Sequence, residues 1–212
     1  MLLLGGCLVQ ERGDQKAPMA DADTARAVKQ ELAVSTIGNV WHASGDLNKD
    51  GLADSAVVLQ DTAADTWPYQ LHIFFANPDK TFKEVLVSDT AIDAARPNGK
   101  DGYVTGDAFD QVTIRKGVLG LSVELLRGHY EHVFRYQHNR FELIGFSFSS
   151  SDGNGTISSS DFNLSTGHFI NTRESYETDQ LISKLDTVVL IRPLPDLAHF
   201  KPFDYHNGPL DF

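Results

Sequence analysis

The sequence has one cysteine, no long apolar run and no excess of basic residues. A single cysteine among 212 residues excludes an intrachain disulfide, so disulfide bonding carries no information about the redox compartment. No stretch approaches the roughly 20 apolar residues that a transmembrane helix requires. The chain has 18 Lys and Arg against 29 Asp and Glu, a formal charge of −11, which argues against nucleic acid as the main partner.

The common motifs of catalysis are absent as well. The chain contains no Walker loop, no Gly-x-Ser-x-Gly nucleophile elbow, no glycine fingerprint for dinucleotides and no paired zinc motif. His129 and His132 are three residues apart, but on the strand predicted there they point to opposite faces, which disfavours a zinc pair. The sequence therefore favours a non-enzymatic protein while leaving enzymatic activity open.

The one cysteine lies in an informative context near the start of the chain. Residues 4–7, Leu-Gly-Gly-Cys, resemble a bacterial lipobox, in which the cysteine is lipidated. The resemblance implies that Cys7 anchors an envelope lipoprotein to the membrane through lipid only, and Leu8 after it favours the outer membrane, facing the periplasm or the surface. A complete signal has a basic segment and about 7–15 apolar residues. Either the natural start lies upstream, or the match is a chance one.

The composition changes after the lipobox. Residues 1–23 are interpreted as a signal remnant followed by a flexible tether, because residues 9–23 are polar and contain Gly13 and Pro18. A short amphipathic helix is predicted over residues 24–34. Residues 24–212 are predicted to form a single β-rich domain.

The strongest motif in the chain is an acidic loop at residues 45–54. Oxygen-bearing side chains occupy alternate positions, and Gly51 allows the sharp turn that wraps such a loop around an ion. The predicted ligands of a calcium ion are the side chains of Asp46, Asn48, Asp50 and Asp54 and the backbone carbonyl of Leu52. Calcium takes about six to eight oxygen ligands, and close carboxylates repel one another without a cation. A solvated acidic turn that binds nothing is the alternative.

The loop differs from an EF-hand, because its twelfth position is Val57 instead of glutamate and the following residues predict a strand. A D-x-N-x-D-G-x-x-D loop that enters an apolar strand resembles the FG-GAP or VCBS-type repeat. The resemblance covers residues 38–60 in one copy, so it implies structural calcium between strands but not a complete propeller. Residues 45–54 and 161–167 together resemble uncharacterised bacterial envelope lipoproteins that carry one such loop before a β-rich body.

The rest of the chain predicts strands joined by turns. Apolar or alternating segments bounded by Gly, Asn and Pro predict a mainly β fold, an antiparallel meander of about eight or nine strands. Within residues 130–137, the aromatic and histidine side chains at even positions share one face, which we expect to be buried. The last strand is predicted at residues 188–191, before Pro193.

These features predict a calcium-stabilised, non-enzymatic exported lipoprotein that binds a protein or a glycan of the cell envelope. One alternative is an envelope hydrolase whose active site is assembled from distant residues, with Asp107, Asp110 and Glu124 as candidate acids. Another is a periplasmic immunity or inhibitor protein. A cavity that gathers ionisable groups would favour the hydrolase, and an exposed apolar or aromatic patch would favour the binding protein.

Overall fold

The fold is mainly β and contains two antiparallel sheets. The structure is a computed structural model and describes residues 37–207 and 210–212. Cys7, the predicted tether and the predicted helix over residues 24–34 lie outside the described residues. The first sheet has four strands and the second has seven, and neither closes into a barrel.

Both sheets are meanders in which each strand pairs with its neighbours in the sequence. The first contains β1 (Ile37–Gly45), β2 (Asp54–Asp61), β3 (Tyr69–Ala76) and β4 (Phe82–Ser88). The second contains β5 (Ala108–Arg115), β6 (Val118–Leu125), β7 (Gly128–Gln137), β8 (Arg140–Ser151), β9 (Thr156–Asn163), β10 (His168–Ser175) and β11 (Leu181–Val188). Tight turns with left-handed residues, such as Gly117 between β5 and β6, reverse the chain between strands.

The C-terminal part of the chain adds only short elements. A three-residue 3-10 turn, Leu197–His199, is capped by the Asp196 carboxylate, which accepts the Ala198 N–H. Strands β12 (His206–Asn207) and β13 (Leu210–Asp211) form a small separate ladder. In the part of the chain that the structure describes, no helix has the length and apolarity needed to cross a bilayer.

The predicted strand count was too low, and two strands account for most of the difference. Strand β1 was not predicted because Gly38 interrupts its pattern and its pairing with β2 shifts register between Ile37 and Val40. The last strand was predicted at residues 188–191 but is β11, which ends at Val188. The apolar run misled the prediction because Ile191 is buried in a loop against the core.

One hydrophobic cluster joins the two sheets. It includes Val58 and Leu71 from the first sheet and Phe134 and Leu143 from the second, all fully buried. The predicted alternation in β7 is confirmed, because the side chains from Tyr130 to Phe134 at even positions are buried. Burial of large apolar side chains from both sheets is the main stabilising contribution of this core.

Replacement of Phe134 by alanine tests the core. The ring is fully buried and packs edge-on against Phe200, with centroids 5.2 Å apart. Phe134→Ala should lower the free energy of unfolding by about 3–5 kcal/mol, because it removes apolar contacts and leaves a cavity. Urea unfolding measures the change. Tyr176→Ala, at a position that is 68% exposed, should change it by less than about 0.5 kcal/mol; equal losses in both variants would contradict the assigned core.

Candidate functional site

The side chains of the acidic loop between β1 and β2 accept hydrogen bonds from the backbone of the same loop. One oxygen of Asp46 accepts the Lys49 N–H at 2.6 Å and the other accepts the Gly51 N–H at 2.9 Å. Asp50 accepts the N–H of Leu52 at 2.8 Å. Lys49 and Gly51 have φ angles of 67° and 86°, in the left-handed region that lets the chain reverse here.

Asn48 links the predicted ligands to one another. Its Oδ1 accepts the backbone N–H of Asp50 at 2.9 Å, and its Nδ2 donates to the Asp50 carboxylate at 2.9 Å. The bonds of Asp46, Asn48 and Asp50 all lie on the exposed turn. The oxygens of these three side chains therefore bond to the backbone of the turn itself.

Asp54 has a different place, beneath the turn. It is fully buried, and one carboxylate oxygen accepts the Leu47 N–H at 2.8 Å and the Asn48 N–H at 3.3 Å. The other oxygen accepts the Ala76 N–H at 3.0 Å, at the end of β3. Burial raises the pKa of the Asp54 carboxyl, while these three N–H donors act in the opposite direction. The carboxylate thus fastens the loop to the first sheet.

The predicted calcium ligands do not all lie together. Among residues 37–207 and 210–212, no group of three or more His, Cys, Asp or Glu side chains is placed to hold a metal ion. Asp46, Asn48 and Asp50 lie on the turn, and the carbonyl of Leu52 is a fourth predicted ligand. Asp54, the fifth, lies buried beneath the turn with both oxygens bonded to backbone N–H groups. Oxygen donors of mixed charge are the ligands that calcium takes in flexible loops.

The loop also lies where the two sheets meet. Leu47 within it is fully buried in the common core. Gly45 lies so close to Ile114 on β5 that a β-carbon at Gly45 would be 2.6 Å from the Ile114 Cγ2. A β-carbon on Gly117, in the turn between β5 and β6, would be 3.5 Å from the Asp46 carbonyl oxygen. Any ion held by the loop would therefore brace the contact between the sheets.

A cavity of about 450 Å³ opens between β3 of the first sheet and strands β5 to β7 of the second. Four aromatic rings supply much of its wall, and two carboxylates and a hydroxyl contribute polar atoms. The lining residues that matter for binding are Tyr69, Phe109, Tyr130, Phe203, Asp93, Asp107 and Thr105. Its volume lies within the range of about 300–1,000 Å³ that is usual for small-molecule sites.

Tyr130 stands out among these groups. The residue is only 3% exposed, yet its hydroxyl makes no hydrogen bond with any described residue, although the residue lines the cavity. Burial raises the pKa of this phenol, and the negative charges of Asp93 and Asp107 raise it further. Tyr69, equally buried, has the Gln60 Nε2 as a donor to its hydroxyl at 3.2 Å. The Tyr130 hydroxyl is not among the fully buried atoms without a partner, so it is reached from the cavity and is free to bond to a ligand there.

The two carboxylates of the cavity differ in their surroundings. Asp107 accepts the Leu126 N–H at 3.0 Å. Asp93 is exposed as a residue, but its carboxyl is sufficiently desolvated for burial to raise its pKa, against the positive charge of Lys201. Neither carboxylate has a cation within salt-bridge distance among the described residues.

The three candidate acids of the hydrolase alternative are not brought together. Asp107 lines the cavity, but Asp110 on β5 and Glu124 on β6 are exposed and do not line it. The prediction missed Asp93, which lies in an irregular stretch without motif or periodicity. The sequence offered one weak indication of its place, because Asp93 follows the apolar residues Ala91 and Ile92, which are buried in the structure.

No protein-family model, no curated protein and no solved structure matches this chain. The site is therefore interpreted from its geometry and chemistry.

His132 lies next to the cavity wall, within the aromatic core. It is 1% exposed, with its ring 5.3 Å from that of Tyr130 and 4.8 Å from that of Phe200. Its Nε2 has no hydrogen-bond partner in the described part of the chain, and burial lowers the pKa of the imidazole to about 3. His129 is exposed, which confirms that the two histidines face opposite ways.

Acid should destabilise the fold through His132. The unfolded chain takes up a proton below a pKa of about 6.5, whereas the folded chain does so only near 3, so stability falls as the pH drops below about 6.5. Between about pH 7 and pH 5, the wild type should lose about 2 kcal/mol more unfolding free energy than His132→Leu. Urea unfolding at both pH values measures this. His129→Leu is the control; an equal loss in wild type and His132→Leu would refute the neutral buried state.

Proposed function

We propose that the protein is a calcium-stabilised, non-enzymatic envelope protein that binds a short saccharide in the cavity beside Tyr130. The observation that carries the proposal is a cavity of about 450 Å³ lined by aromatic rings and two carboxylates, in which the Tyr130 hydroxyl bonds to no described residue. A ligand hydroxyl could bond to it, and a hydrogen bond of this kind contributes about 0.5–1.5 kcal/mol.

The chemistry of the cavity fits a sugar. The faces of Phe109 and Phe203 offer apolar surface for the C–H groups of a pyranose ring. Asp93 and Asp107 are acceptors for its hydroxyl groups, and Thr105 can donate or accept. A protein with a formal charge of −11 would repel an anionic ligand, so a neutral saccharide is favoured.

The rest of the proposal concerns where the protein acts. Residues 1–23 would supply a lipid anchor at Cys7 and a flexible tether. The anchor would hold the folded domain at the outer membrane, with the lipid as its sole membrane contact. A calcium ion at the loop of residues 45–54 would be structural, because calcium polarises bound groups weakly and the loop contacts both sheets.

An envelope hydrolase is the second candidate, and one observation favours it. Asp93 and Asp107 line one cavity, and paired carboxylates are the usual acid and base of glycoside hydrolysis. Against it, neither aspartate belongs to a catalytic sequence motif. An immunity or inhibitor protein remains an alternative prediction.

Calcium should stabilise the fold by binding the native loop in preference to the unfolded chain. At a hundredfold excess over Kd, the gain is about 2.7 kcal/mol, or roughly 5–11 °C in melting temperature for a chain of this size. Melting curves in CaCl2 and in EDTA measure it, and Asp50→Ala should remove the difference because it deletes a predicted ligand.

Asp152→Ala is the matched control for this loss. Asp152 accepts the Asn154 N–H at 2.7 Å in another exposed turn, so its removal disturbs a turn of the same type without touching the predicted ligands. This variant should keep the full calcium shift. Identical melting of the wild type in CaCl2 and EDTA would count against a calcium site.

Saccharide binding can be tested with maltotriose, cellotriose and chitotriose as probes in isothermal titration calorimetry. Tyr130→Phe deletes only the hydroxyl and should weaken the binding of the preferred trisaccharide about fivefold to tenfold. Trp41, whose ring is 5.1 Å from Phe109, provides a fluorescence readout near the cavity. Asp110→Asn, an exposed carboxylate on the strand that carries Phe109, should bind like the wild type.

The same incubations separate binding from hydrolysis. Chromatography should recover the trisaccharide intact if the protein only binds it. Cleavage products that disappear in both Asp93→Asn and Asp107→Asn would support the hydrolase instead. Failure of all three trisaccharides to bind, or equal affinity in Tyr130→Phe, would refute the proposed saccharide site.

A further inference from the structure

Strand β11 is the outer edge of the seven-stranded sheet and is covered on neither face. Every residue from Leu181 to Val188 is exposed except Thr187, which is half-buried. The strand pairs with β10 on one side. Its other edge has no partner strand in the described part of the chain, so a row of backbone N–H and C=O groups is free to pair.

The exposed side chains of this edge are unusually apolar. Leu181, Ile182, Leu185 and Val188 are 51%, 55%, 41% and 64% exposed. Edge strands of soluble proteins are normally protected by charged residues, prolines or bulges. Here the one irregularity in the pairing with β10 lies at the start of the strand, next to Leu181. The charges are Lys184 and Asp186, with the Lys184 Nζ 2.9 Å from the Asp186 carboxylate, which also lies 2.8 Å from His168 Nε2. The edge therefore keeps no net charge of its own to repel a second strand.

Two copies of β11 are complementary to each other when they run antiparallel. If a second copy pairs antiparallel about Leu185, Lys184 lies opposite Asp186 of that copy, and Ser183 lies opposite its Thr187. The ladder with β10 shifts register between Leu181 and Ser183, so the regular part of β11 that can pair begins at Ser183. In this part Leu185 lies opposite its counterpart. Directly opposed residues share a face, so Leu185 meets Leu185 and each charge meets its opposite.

We propose that two copies of the chain pair through β11, antiparallel about Leu185, so that two seven-stranded sheets join into one. The interaction is isologous, as a two-fold dimer requires. Parallel pairing in register would place Lys184 beside Lys184 and Asp186 beside Asp186, which is unfavourable. Pairing shifted by one residue would set Lys184 against the apolar Leu185. The antiparallel register about Leu185 satisfies the backbone, the charges and the apolar side chains at the same time.

The dimer is tested by sedimentation velocity and light scattering over a range of protein concentrations. Lys184→Glu places two glutamates opposite two aspartates, and Asp186→Lys places two lysines opposite two lysines, so each should raise the dimer dissociation constant about tenfold or more. The double variant Lys184→Glu with Asp186→Lys restores opposite charges across the interface and should restore the dimer. Recovery in the double variant distinguishes this pairing from a nonspecific loss of solubility.

The register has a separate test by disulfide cross-linking in a Cys7→Ser background. Leu185→Cys places two thiols directly across the axis, within the Cα distance of about 4.4–6.8 Å that a disulfide needs, and should form a covalent dimer on mild oxidation. Ser183→Cys is the control, because its two thiols would lie four residues of strand apart, about 14 Å. Circular dichroism verifies that each variant is folded.

The possible outcomes decide the proposal. A concentration-dependent dimer that both single charge variants weaken, that the double variant restores and that Leu185→Cys locks would support it. A wild type that stays monomeric at submillimolar concentration would overturn it. So would a dimer that neither charge variant weakens, or one that Ser183→Cys cross-links and Leu185→Cys does not.

Discussion

The position of the loop between β1 and β2, where the two sheets meet, depends on one buried carboxylate. Asp54 is the first residue of β2, and its oxygens bind the N–H groups of Leu47 and Asn48 in the preceding loop and of Ala76 at the end of β3. Such a group is stable in the interior only while its donors stay in place, because an unpaired buried carboxylate is costly. The bonds hold the loop over the core, where Leu47 contributes to the cluster shared by both sheets.

This constraint has a direct consequence for the proposed binding site. The loop fixed by Asp54 contacts Ile114 and Gly117 of the β5–β6 hairpin, and this hairpin also carries part of the cavity wall. The other wall comes from Tyr69 on β3, the strand whose last residue, Ala76, donates to Asp54. Stabilising the loop would therefore hold both walls of the cavity at a fixed separation. A structural ion in the loop, outside the cavity, would in this way support ligand binding in the cavity.

The sequence predicted the parts of the structure that local patterns encode. Alternation predicted the buried face of β7, and Gly51 predicted the sharp turn in the loop of residues 45–54. It did not predict the role of Asp54, because the bond to Ala76 joins residues 22 positions apart and leaves no local pattern. Asp93 was missed for the same reason. The segment that contains it lines a cavity only because β3 packs near β5 to β7, and no local pattern encodes that contact.

The proposed dimer and the proposed cavity occupy opposite ends of the seven-stranded sheet. The cavity lies at β5 to β7 and the pairing edge is β11, so the strand order places β8 to β10 between them. Pairing through β11 would leave both cavities open at the two far ends of the joined sheet. Two sites held at a fixed distance bind a repetitive ligand more tightly than either site alone, by about 10²–10⁴ when both can be reached. A polymeric glycan is repetitive, so the weak binding expected of a trisaccharide site is compatible with firm attachment to a polymer.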